Sequence, residues 1–190
     1  MSKLAPWKLS PSKFHFGFDN CQRCYYLDIK EGITQPGSFP GVFSKLDVIH
    51  KNFFIGQHTS DVLTDIPAGT FIKGPGDKFL ESELIEFDDP NKNCFISGKG
   101  DAFLELDDGT YAIIDFKTSM KVKKEEWISN YFMQESAYAV MWEERVKEPI
   151  TQLVTLIAND TNEPQVFIQH RDQWIHKFID VRQQYEEQNA

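Results

Sequence analysis

Apolar residues recur at spacings of three and four in four stretches of the chain, and this spacing places them on one face of a helix. The pattern predicts helices over residues 10–32, 43–57, 124–146 and 172–187. Shorter apolar runs bounded by turn residues predict strands over 79–87, 94–97, 152–159 and 165–169, and a hairpin over 101–119. Two segments rich in proline and glycine, 33–41 and 66–78, are predicted to be loops. Together these elements predict an α/β fold, with helices flanking a central mixed β-sheet, in one domain over 1–190.

Two of the predicted helices carry candidate functional residues on or beside their apolar faces. In the helix over 43–57, His50 lies at the edge of a stripe that is expected to be buried. That stripe consists of Phe43, Leu46, Ile49, Phe53 and Phe54. In the helix over 124–146, Gln134 and Tyr138 are four residues apart, so they share a face and can contact one partner together. The same stripe includes Trp127, Tyr131, Met141 and Arg145.

The predicted hairpin can be given a register from its turn. The sequence Asp107-Asp108-Gly109 suits a three-residue loop with glycine in the left-handed conformation. With that loop, Asp101 lies directly opposite Asp115 at the open end of the hairpin. Because side chains alternate with period two, Lys117 projects on the same face as Asp115, just beyond it. A two-residue loop would shift the register by one residue and separate the two aspartates.

Two opposed carboxylates repel each other, so this pair lowers stability unless a positive charge compensates it. A divalent cation would compensate it well, because two carboxylates, a backbone carbonyl and water molecules form the hard oxygen shell that Mg²⁺ or Mn²⁺ prefers. The ammonium group of Lys117 could then orient or help activate a water molecule. These groups together suit the hydrolysis of phosphodiester bonds. The alternative is a surface hairpin with an incidental salt bridge, which would contribute little to stability.

The charge of the chain is acidic, which by itself disfavours a nucleic-acid partner. The 190 residues have a formal net charge of -9. The imbalance is concentrated in residues 61–116, where thirteen Asp and Glu residues outnumber four Lys and Arg residues. Such a segment is either a cation-binding region or a solvated acidic face. A bound cation would neutralise part of it and leave a basic edge for a phosphate backbone, formed by Lys117, Lys121, Lys123 and Lys124.

Composition excludes several classes of protein. With 41% hydrophobic and 26% charged residues, the chain is globular and not a disordered tail. No stretch approaches the ~18 consecutive apolar residues of a membrane span, and the first residues lack the apolar core of a signal peptide. A cytoplasmic location without a membrane partner is therefore expected. The three cysteines, Cys21, Cys24 and Cys94, are too few for a secreted disulfide scaffold and are expected to be thiols.

The string GKGDAFLELDDGTYAIIDFKTS, residues 98–119, resembles the core of the PD-(D/E)XK nuclease superfamily, in its RecB-like exonuclease branch. Gly98 and Asp101 match the Gly-x-x-Asp that opens one strand in that branch. Asp115 and Lys117, followed by Thr118, match the Asp-x-Lys and threonine that end the next strand.

Three further features agree with this branch in order and spacing. SPSKFHFGFDNCQRCYYL, residues 10–27, is similar to its N-terminal Ser-x-Ser and Cys-x-Arg-x-Tyr-Tyr-Leu segment. His50 lies on the helix where the branch has a metal-binding histidine, and QESAY, residues 134–138, matches its Gln-x-x-x-Tyr motif. The resemblance extends from residue 10 to about residue 145.

The resemblance implies a metal-dependent nuclease with a restriction-endonuclease-like core. Lys117 would position the attacking water and stabilise the charge that grows on the phosphate. Gln134 and Tyr138 would contact the nucleic-acid strand near the scissile phosphate. Glu83 is a further candidate for a carboxylate outside the direct ligand set. The implied ligands of Mg²⁺ or Mn²⁺ are His50, Asp101, Asp115 and the Phe116 carbonyl.

The cysteines depart from the patterns of this family. Some members, including CRISPR-associated ones, bind an iron–sulfur cluster through one N-terminal and three C-terminal cysteines, but no cysteine follows Cys94 here. No iron–sulfur cluster is therefore expected. Cys21 and Cys24 have the spacing of half a zinc site, but no second pair completes it, so buried structural thiols are expected instead.

The sequence therefore favours a Mg²⁺- or Mn²⁺-dependent deoxyribonuclease, an exonuclease of DNA repair, recombination or phage DNA processing. By analogy with the family, it would act on single-stranded DNA or a duplex end, with a helicase or recombination protein as partner. The competing hypothesis is a catalytically silent nucleic-acid-binding or assembly subunit on the same fold, which the acidic charge favours. Against it stands the complete set of metal and lysine positions. Cleavage mode, polarity, the choice between DNA and RNA, and oligomeric state are not predicted.

Overall fold

The computed structural model of the protein describes residues 7–13, 17–18, 20–34, 41–63, 65–74, 85–86, 94–161 and 163–171. Its helices are α1 Pro11–Lys13, α2 Gln22–Glu31, α3 Gly41–Phe54, α4 Thr59–Val62 and α5 Ser129–Val146, the last preceded by a 3-10 helix, Glu125–Trp127. Its strands are β1 Trp7–Leu9, β2 Gly69–Ile72, β3 Ile85–Glu86, β4 Cys94–Ile96, β5 Ala102–Leu106, β6 Tyr111–Thr118, β7 Ile150–Ala158 and β8 Gln165–His170.

Five strands form a mixed sheet in the order β2-β5-β6-β7-β8. Neighbouring strands are antiparallel except β6 and β7, which are parallel and are connected through α5. A smaller sheet has the order β1-β4-β3. The predicted α/β fold, a central mixed sheet with flanking helices, is therefore confirmed. The predicted strands over 94–97, 152–159 and 165–169 correspond to β4, β7 and β8.

Both faces of the five-stranded sheet are buried, which explains why the run Ala112 to Phe116 is buried without interruption. On one face, Phe103, Ile113 and Leu153 pack with the apolar side of α5. On the other face, Ile114 and its neighbours pack with Phe54 at the end of α3. Since successive strand residues point to opposite faces, Asp115 shares the α5 face with Ile113.

The hairpin of β5 and β6 has the predicted register. Its pairs are Ala102 with Ile114, Phe103 with Ile113, Leu104 with Ala112 and Glu105 with Tyr111. Gly109 has a φ of 85°, the left-handed conformation that the three-residue loop requires. The ladder ends at Ala102, and the side chain of Asp101 continues it, because Asp101 Oδ2 accepts a hydrogen bond from the Phe116 N–H at 3.1 Å.

The prediction of one helix over 10–32 is wrong, since the described residues of this stretch include α1 and α2 with a break at Cys21 between them. Cys21 is in an extended conformation with a φ of -161°, and its sulfur accepts the Cys24 N–H at 3.2 Å, so α2 begins after it. Residues 14–16 and 19 lie outside the described residues. The structure also joins Cys21 and Cys24 in a disulfide, where thiols were expected.

The prediction of a loop over 66–78 is wrong at β2, which pairs with β5. The glycine that suggested a turn is required by a close approach. A Cβ on Gly69 would lie 2.5 Å from the carbonyl oxygen of Glu105. Residues 75–78 lie outside the described residues.

The buried stripe predicted for α3 is only partly present. Phe54 is buried, whereas Ile49 is 60% exposed and Phe53 is 57% exposed. The helix meets the sheet at its C-terminal end, so its earlier turns are not covered by the part of the sheet that is described. Within the described ranges no helix combines the length and apolar character needed to cross a bilayer.

Several predictions fall wholly or partly outside the described residues. The strand predicted over 79–87 is described only at β3, and the loop predicted over 33–41 is described only at its ends. The helix predicted over 172–187 and Glu83 lie outside the description. The single domain over 1–190 stays a prediction.

Candidate active site

The open end of the β5–β6 hairpin brings three of the predicted site residues together. Asp115 is 1% exposed and lies on the α5 face of the sheet. The Nζ atom of Lys117, two residues along β6, lies 2.5 Å from Asp115 Oδ2. Asp101 stands at the end of β5, held by its hydrogen bond to the Phe116 N–H. The two aspartates and the lysine therefore form one cluster at the place where the register puts them.

A second lysine, Lys51, belongs to this cluster and was not predicted from the sequence. Its Nζ atom lies 2.8 Å from Asp101 Oδ1 and 2.8 Å from Asp47 Oδ2. Asp47 and Lys51 are four residues apart on α3, a spacing that favours an ion pair, and this was the available sequence signal. The second contact, to Asp101, depends on how α3 packs against the hairpin, which the sequence pattern does not specify.

Helix α5 supports Asp115 from the other side through Gln134. The Gln134 Nε2 group donates to Asp115 Oδ1 and to the Tyr138 hydroxyl oxygen, each at 3.3 Å. Tyr138 is buried behind Gln134, and Gly98 packs against it: a Cβ on Gly98 would lie 3.0 Å from Tyr138 Cε1. The same Cβ would lie 2.9 Å from Pro11 Cδ, so this position accommodates only glycine without a shift. Gln134 therefore contacts the Asp115 carboxylate directly, and Tyr138 lies behind Gln134.

Glu135 is a second residue that sequence reasoning missed. It is fully buried, its Oε1 atom accepts a hydrogen bond from the Thr155 hydroxyl, and no described residue pairs with its Oε2 atom. Thr155 lies beside Asp115 in the parallel register of β6 and β7. A signal was present, because Glu135 interrupts the apolar positions 128, 132, 139 and 142 on the inward face of α5.

Burial dominates the electrostatics of this cluster. It raises the pKa of Asp115 to about 7, with a further rise caused by the Asp101 carboxylate and a partial compensation by the Lys117 ammonium. Burial also raises the pKa of Glu135 well above its ordinary value, and the charge of Asp115 acts in the same direction. Burial alone would lower the pKa of Lys117, but the carboxylates of Asp115 and Asp101 outweigh it and raise that pKa. Lys117 is therefore a permanent cation at neutral pH.

The cluster opens into a cavity of about 620 Å³. Five of the predicted site residues line it, together with other side chains of α1, α3, β6 and α5. Its lining residues include His50, Asp101, Phe116, Lys117, Thr118, Tyr131 and Gln134, with Ser12, Ser44 and Asp47. The His50 ring lies 6.2 Å from the Phe116 ring, centroid to centroid. This is enough space for a phosphodiester group and part of a nucleotide beside the carboxylates.

The predicted metal ligands have suitable chemistry, but in this structure lysine side chains contact the two carboxylates. Asp101 and Asp115 supply hard oxygen atoms, and each already has a cation beside it, the ammonium groups of Lys51 and Lys117. These ammonium groups stand in for the positive charge that the two carboxylates require. Among the residues that the structure describes, no three acidic, histidine or cysteine side chains converge as a metal site. Metal binding at His50, Asp101, Asp115 and Phe116 stays a prediction.

The three lysines predicted to contact the substrate follow β6. Lys121 is exposed, and the Lys123 N–H is held by Gln165 Oε1 at 2.6 Å. The Nζ atoms of Lys123 and Lys124 each lie 5.8 Å from the centroid of the Trp127 ring. Trp127, which belongs to the stripe predicted for the helix over 124–146, is 54% exposed. Lys123 and Lys124 therefore lie beside an exposed aromatic ring that does not line the cavity.

Comparison with known proteins gives fold-level likenesses alone. No family model and no curated protein matches the chain. The crystal structure of SSO0001 is similar at 12% identity with a TM-score of 0.46, over 93% of this chain and 75% of that one. A proposed exonuclease from Eubacterium rectale is similar at 15% identity and a TM-score of 0.36, over 90% of this chain and 59% of that one. Identities and TM-scores this low carry no argument about activity.

Proposed function

We propose that this protein is a metal-dependent nuclease that hydrolyses DNA phosphodiester bonds, acting as an exonuclease in DNA repair, recombination or phage DNA processing. The observation that carries the proposal is the cluster of Asp101, Asp115 and Lys117, in which Asp101 and Lys117 line the 620 Å³ cavity and Lys117 contacts the buried Asp115. Two carboxylates and a lysine in this arrangement have the composition of a phosphodiester-hydrolysing site. The sequence resemblance to the PD-(D/E)XK superfamily supports the same function for the same three residues.

The carboxylates would hold the cation that this chemistry requires. Mg²⁺ or Mn²⁺ would be bound by Asp101, Asp115, the Phe116 carbonyl and His50, and the ion neutralises phosphate charge and lowers the pKa of bound water. Binding would displace Lys51 from Asp101, because both cations need the same carboxylate oxygen atoms. Lys51 would then keep its contact with Asp47, which lies 2.8 Å away and lines the cavity.

Lys117 would act on the phosphate as a charge, not as a base. Its raised pKa keeps the ammonium protonated, and its side chain is one-fifth exposed at 22%, toward the cavity. An ammonium in this place can donate hydrogen bonds to a non-bridging phosphate oxygen and orient the attacking water. Stabilisation of charge that grows in the transition state is the largest contribution that such a fixed group makes.

Gln134 and Tyr138 would position Asp115 through the shared Nε2 group of Gln134. Gln134 lines the cavity and can also reach the nucleic-acid strand, whereas Tyr138 acts through Gln134. Replacing Tyr138 by phenylalanine removes one of the two acceptors of Gln134, so we expect a loss in kcat with little change in KM. Circular dichroism would show that the helix is intact.

The competing function, a catalytically silent nucleic-acid-binding or assembly subunit, is favoured by one specific observation. Both carboxyl groups already have a lysine beside them, so the folded cluster does not depend on a metal for a positive charge. The two functions predict different effects of the metal on DNA binding and cleavage. A silent subunit would bind DNA equally in Mg²⁺ and in EDTA and would cleave none.

The deciding experiment is the cleavage of end-labelled DNA, single-stranded and duplex, linear and circular, in Mg²⁺, Mn²⁺ or EDTA. The test variant is Asp115→Asn, and the matched control is Asp107→Asn, which removes an exposed carboxylate at the turn end of the same hairpin. We expect metal-dependent cleavage that D115N abolishes and D107N retains. Survival of circular DNA would identify an exonuclease. DNA binding without cleavage by the pure wild type would refute the enzyme and favour the silent subunit.

A further inference from the structure

Trp127 presents an exposed aromatic face outside the cavity, four residues before Tyr131, which lines it. Its indole lies in the 3-10 helix before α5 and is 54% exposed, although tryptophan is among the residues that gain most from burial. Tyr131 follows one turn later, is half-buried and lines the cavity. Gln134, one further turn along, contacts Asp115. The three side chains therefore lead from the surface to the candidate catalytic carboxylate.

Trp127 and Tyr131 each have an ammonium group over the ring. Lys117 Nζ lies 5.3 Å from the Tyr131 centroid, and the Nζ atoms of Lys123 and Lys124 lie 5.8 Å from the Trp127 centroid. These are cation–π distances. The lysine segment has a fixed place, because Gln165 accepts the Lys123 N–H and donates to the Lys123 carbonyl at 3.0 Å. Positive charge and aromatic surface therefore occur together and at fixed positions.

We propose that Trp127 and Tyr131 form a stacking surface for unpaired bases, with Lys117, Lys123 and Lys124 as contacts for the phosphates, so that the strand reaches the carboxylates as single-stranded DNA. The proposal rests on the proposed function and names its substrate form. Aromatic faces with lysines beside them bind single strands without sequence preference, because every base has a π-face. A base inside a duplex is already stacked on both sides and cannot use Trp127.

The dimensions of the path fit a short single strand. Seven residues separate Trp127 from Gln134, which is about 10 Å at the rise of 1.5 Å per helical residue. At about 3.4 Å per base, roughly three stacked nucleotides cover that length. Exposed apolar side chains at Met120 and Val122, between the lysines, extend the same surface. A protein partner would also bury these apolar groups, but the lysine beside each ring complements the charge of a phosphate and so favours a nucleic acid.

The test compares binding of a fluorescein-labelled oligothymidylate with that of a blunt hairpin duplex, by fluorescence anisotropy in EDTA. The variants are Trp127→Ala and Trp127→Phe, with Ile33→Ala as the control for loss of an equally exposed apolar side chain. We expect W127A to weaken binding of the single strand by about 5- to 100-fold and W127F to retain most of it, since one base–aromatic stack has that effect. Duplex affinity should change by less than about two-fold, and I33A should match the wild type.

Charge is tested separately with Lys123→Gln and Lys124→Gln. Each should reduce the dependence of log Kd on log salt by up to about one unit, the contribution of one phosphate contact. Lys147→Gln, which removes a lysine at the far end of α5, should leave the slope unchanged.

Three outcomes would overturn the proposal: wild-type protein that does not bind the oligothymidylate, W127A that binds it as tightly as the wild type, or W127A that loses single-strand and duplex binding equally. The nuclease proposal fails in a different way, through absence of metal-dependent cleavage. Trp127-dependent binding by an inactive protein would support the stacking surface alone.

Discussion

Replacing Asp115 by asparagine should change how the stability of the metal-free protein depends on pH. The carboxyl group is fully buried, and burial together with Asp101 raises its pKa to about 7 from an ordinary value of 3.8. Between these two pH values the folded protein keeps a proton on Asp115 that the unfolded chain has released. The free energy of unfolding of the wild type therefore decreases as the pH rises from about 4 to about 7.

The size of this effect follows from the interval between the two pKa values. An interval from 3.8 to about 7 corresponds to about 4 kcal/mol at about 1.36 kcal/mol for each pKa unit. Asp115→Asn has no proton to release at this position. Relative to the wild type, the variant should therefore become more stable by up to that amount as the pH rises. The pKa of Glu135 is also raised, but this residue is present in both proteins. Its contribution therefore cancels when the free energy of unfolding of the variant is compared with that of the wild type at each pH.

The assay is urea denaturation followed by circular dichroism in EDTA at several pH values from 4.5 to 8.5. The control is Ile113→Val, which lies on the same strand and face and removes volume but no titrating group. It should lower the free energy of unfolding by about 0.5–1.5 kcal/mol at every pH. If the free energies of unfolding of the wild type and D115N differ by the same amount at pH 5 and at pH 8, the argument that the buried carboxyl keeps its proton is refuted.

Three other outcomes are expected. Adding Mg²⁺ at pH 8 to about ten times its Kd should stabilise the wild type by about 1.4 kcal/mol and D115N by nothing, as thermal unfolding would measure; equal stabilisation of both would contradict a metal site at Asp115. Lys117→Gln should keep that metal response and lose at least about 100-fold in kcat of DNA cleavage; loss of the metal response would contradict its role on the phosphate. Gly98→Ala should cost about 1–3 kcal/mol in urea denaturation, because its Cβ would lie 2.9 Å from Pro11 Cδ and 3.0 Å from Tyr138 Cε1; unchanged stability would show that this contact relaxes freely.

The hairpin and its aspartates could be predicted because the information is local. The turn at Gly109 sets the register, and alternation then determines which side chains share a face, so Asp101, Asp115 and Lys117 follow from one stretch of sequence. Gln134 could be placed for a similar reason, since helical spacing is also a local property. Each of these predictions needed only the geometry of one element.

The residues that sequence reasoning missed depend on contacts between distant elements. Lys51 reaches Asp101 because the C-terminal end of α3 packs beside the hairpin, and Glu135 lies beside Thr155 because α5 covers β7. Trp127 and Ile49 have the apolar character of core residues, but no described element covers either of them. Periodicity identifies which face of a helix is apolar, and it does not specify which neighbour covers that face.

The hydrogen bond from the Phe116 N–H to Asp101 Oδ2 gives Asp101 a structural role that is independent of any reaction. Where the backbone pairing of β5 and β6 stops, this side chain supplies the next acceptor, so a change to alanine would leave a backbone donor of β6 without its partner. Selection for an intact hairpin would preserve an oxygen acceptor at this position even in a descendant that had lost its chemistry. Asparagine keeps that oxygen and removes the charge, so relatives that carry asparagine here would be expected to fold alike and to lack the carboxylate that the proposed cation site needs. Aspartate at position 101 in a relative is therefore informative about catalysis only when Asp115 and Lys117 are present with it.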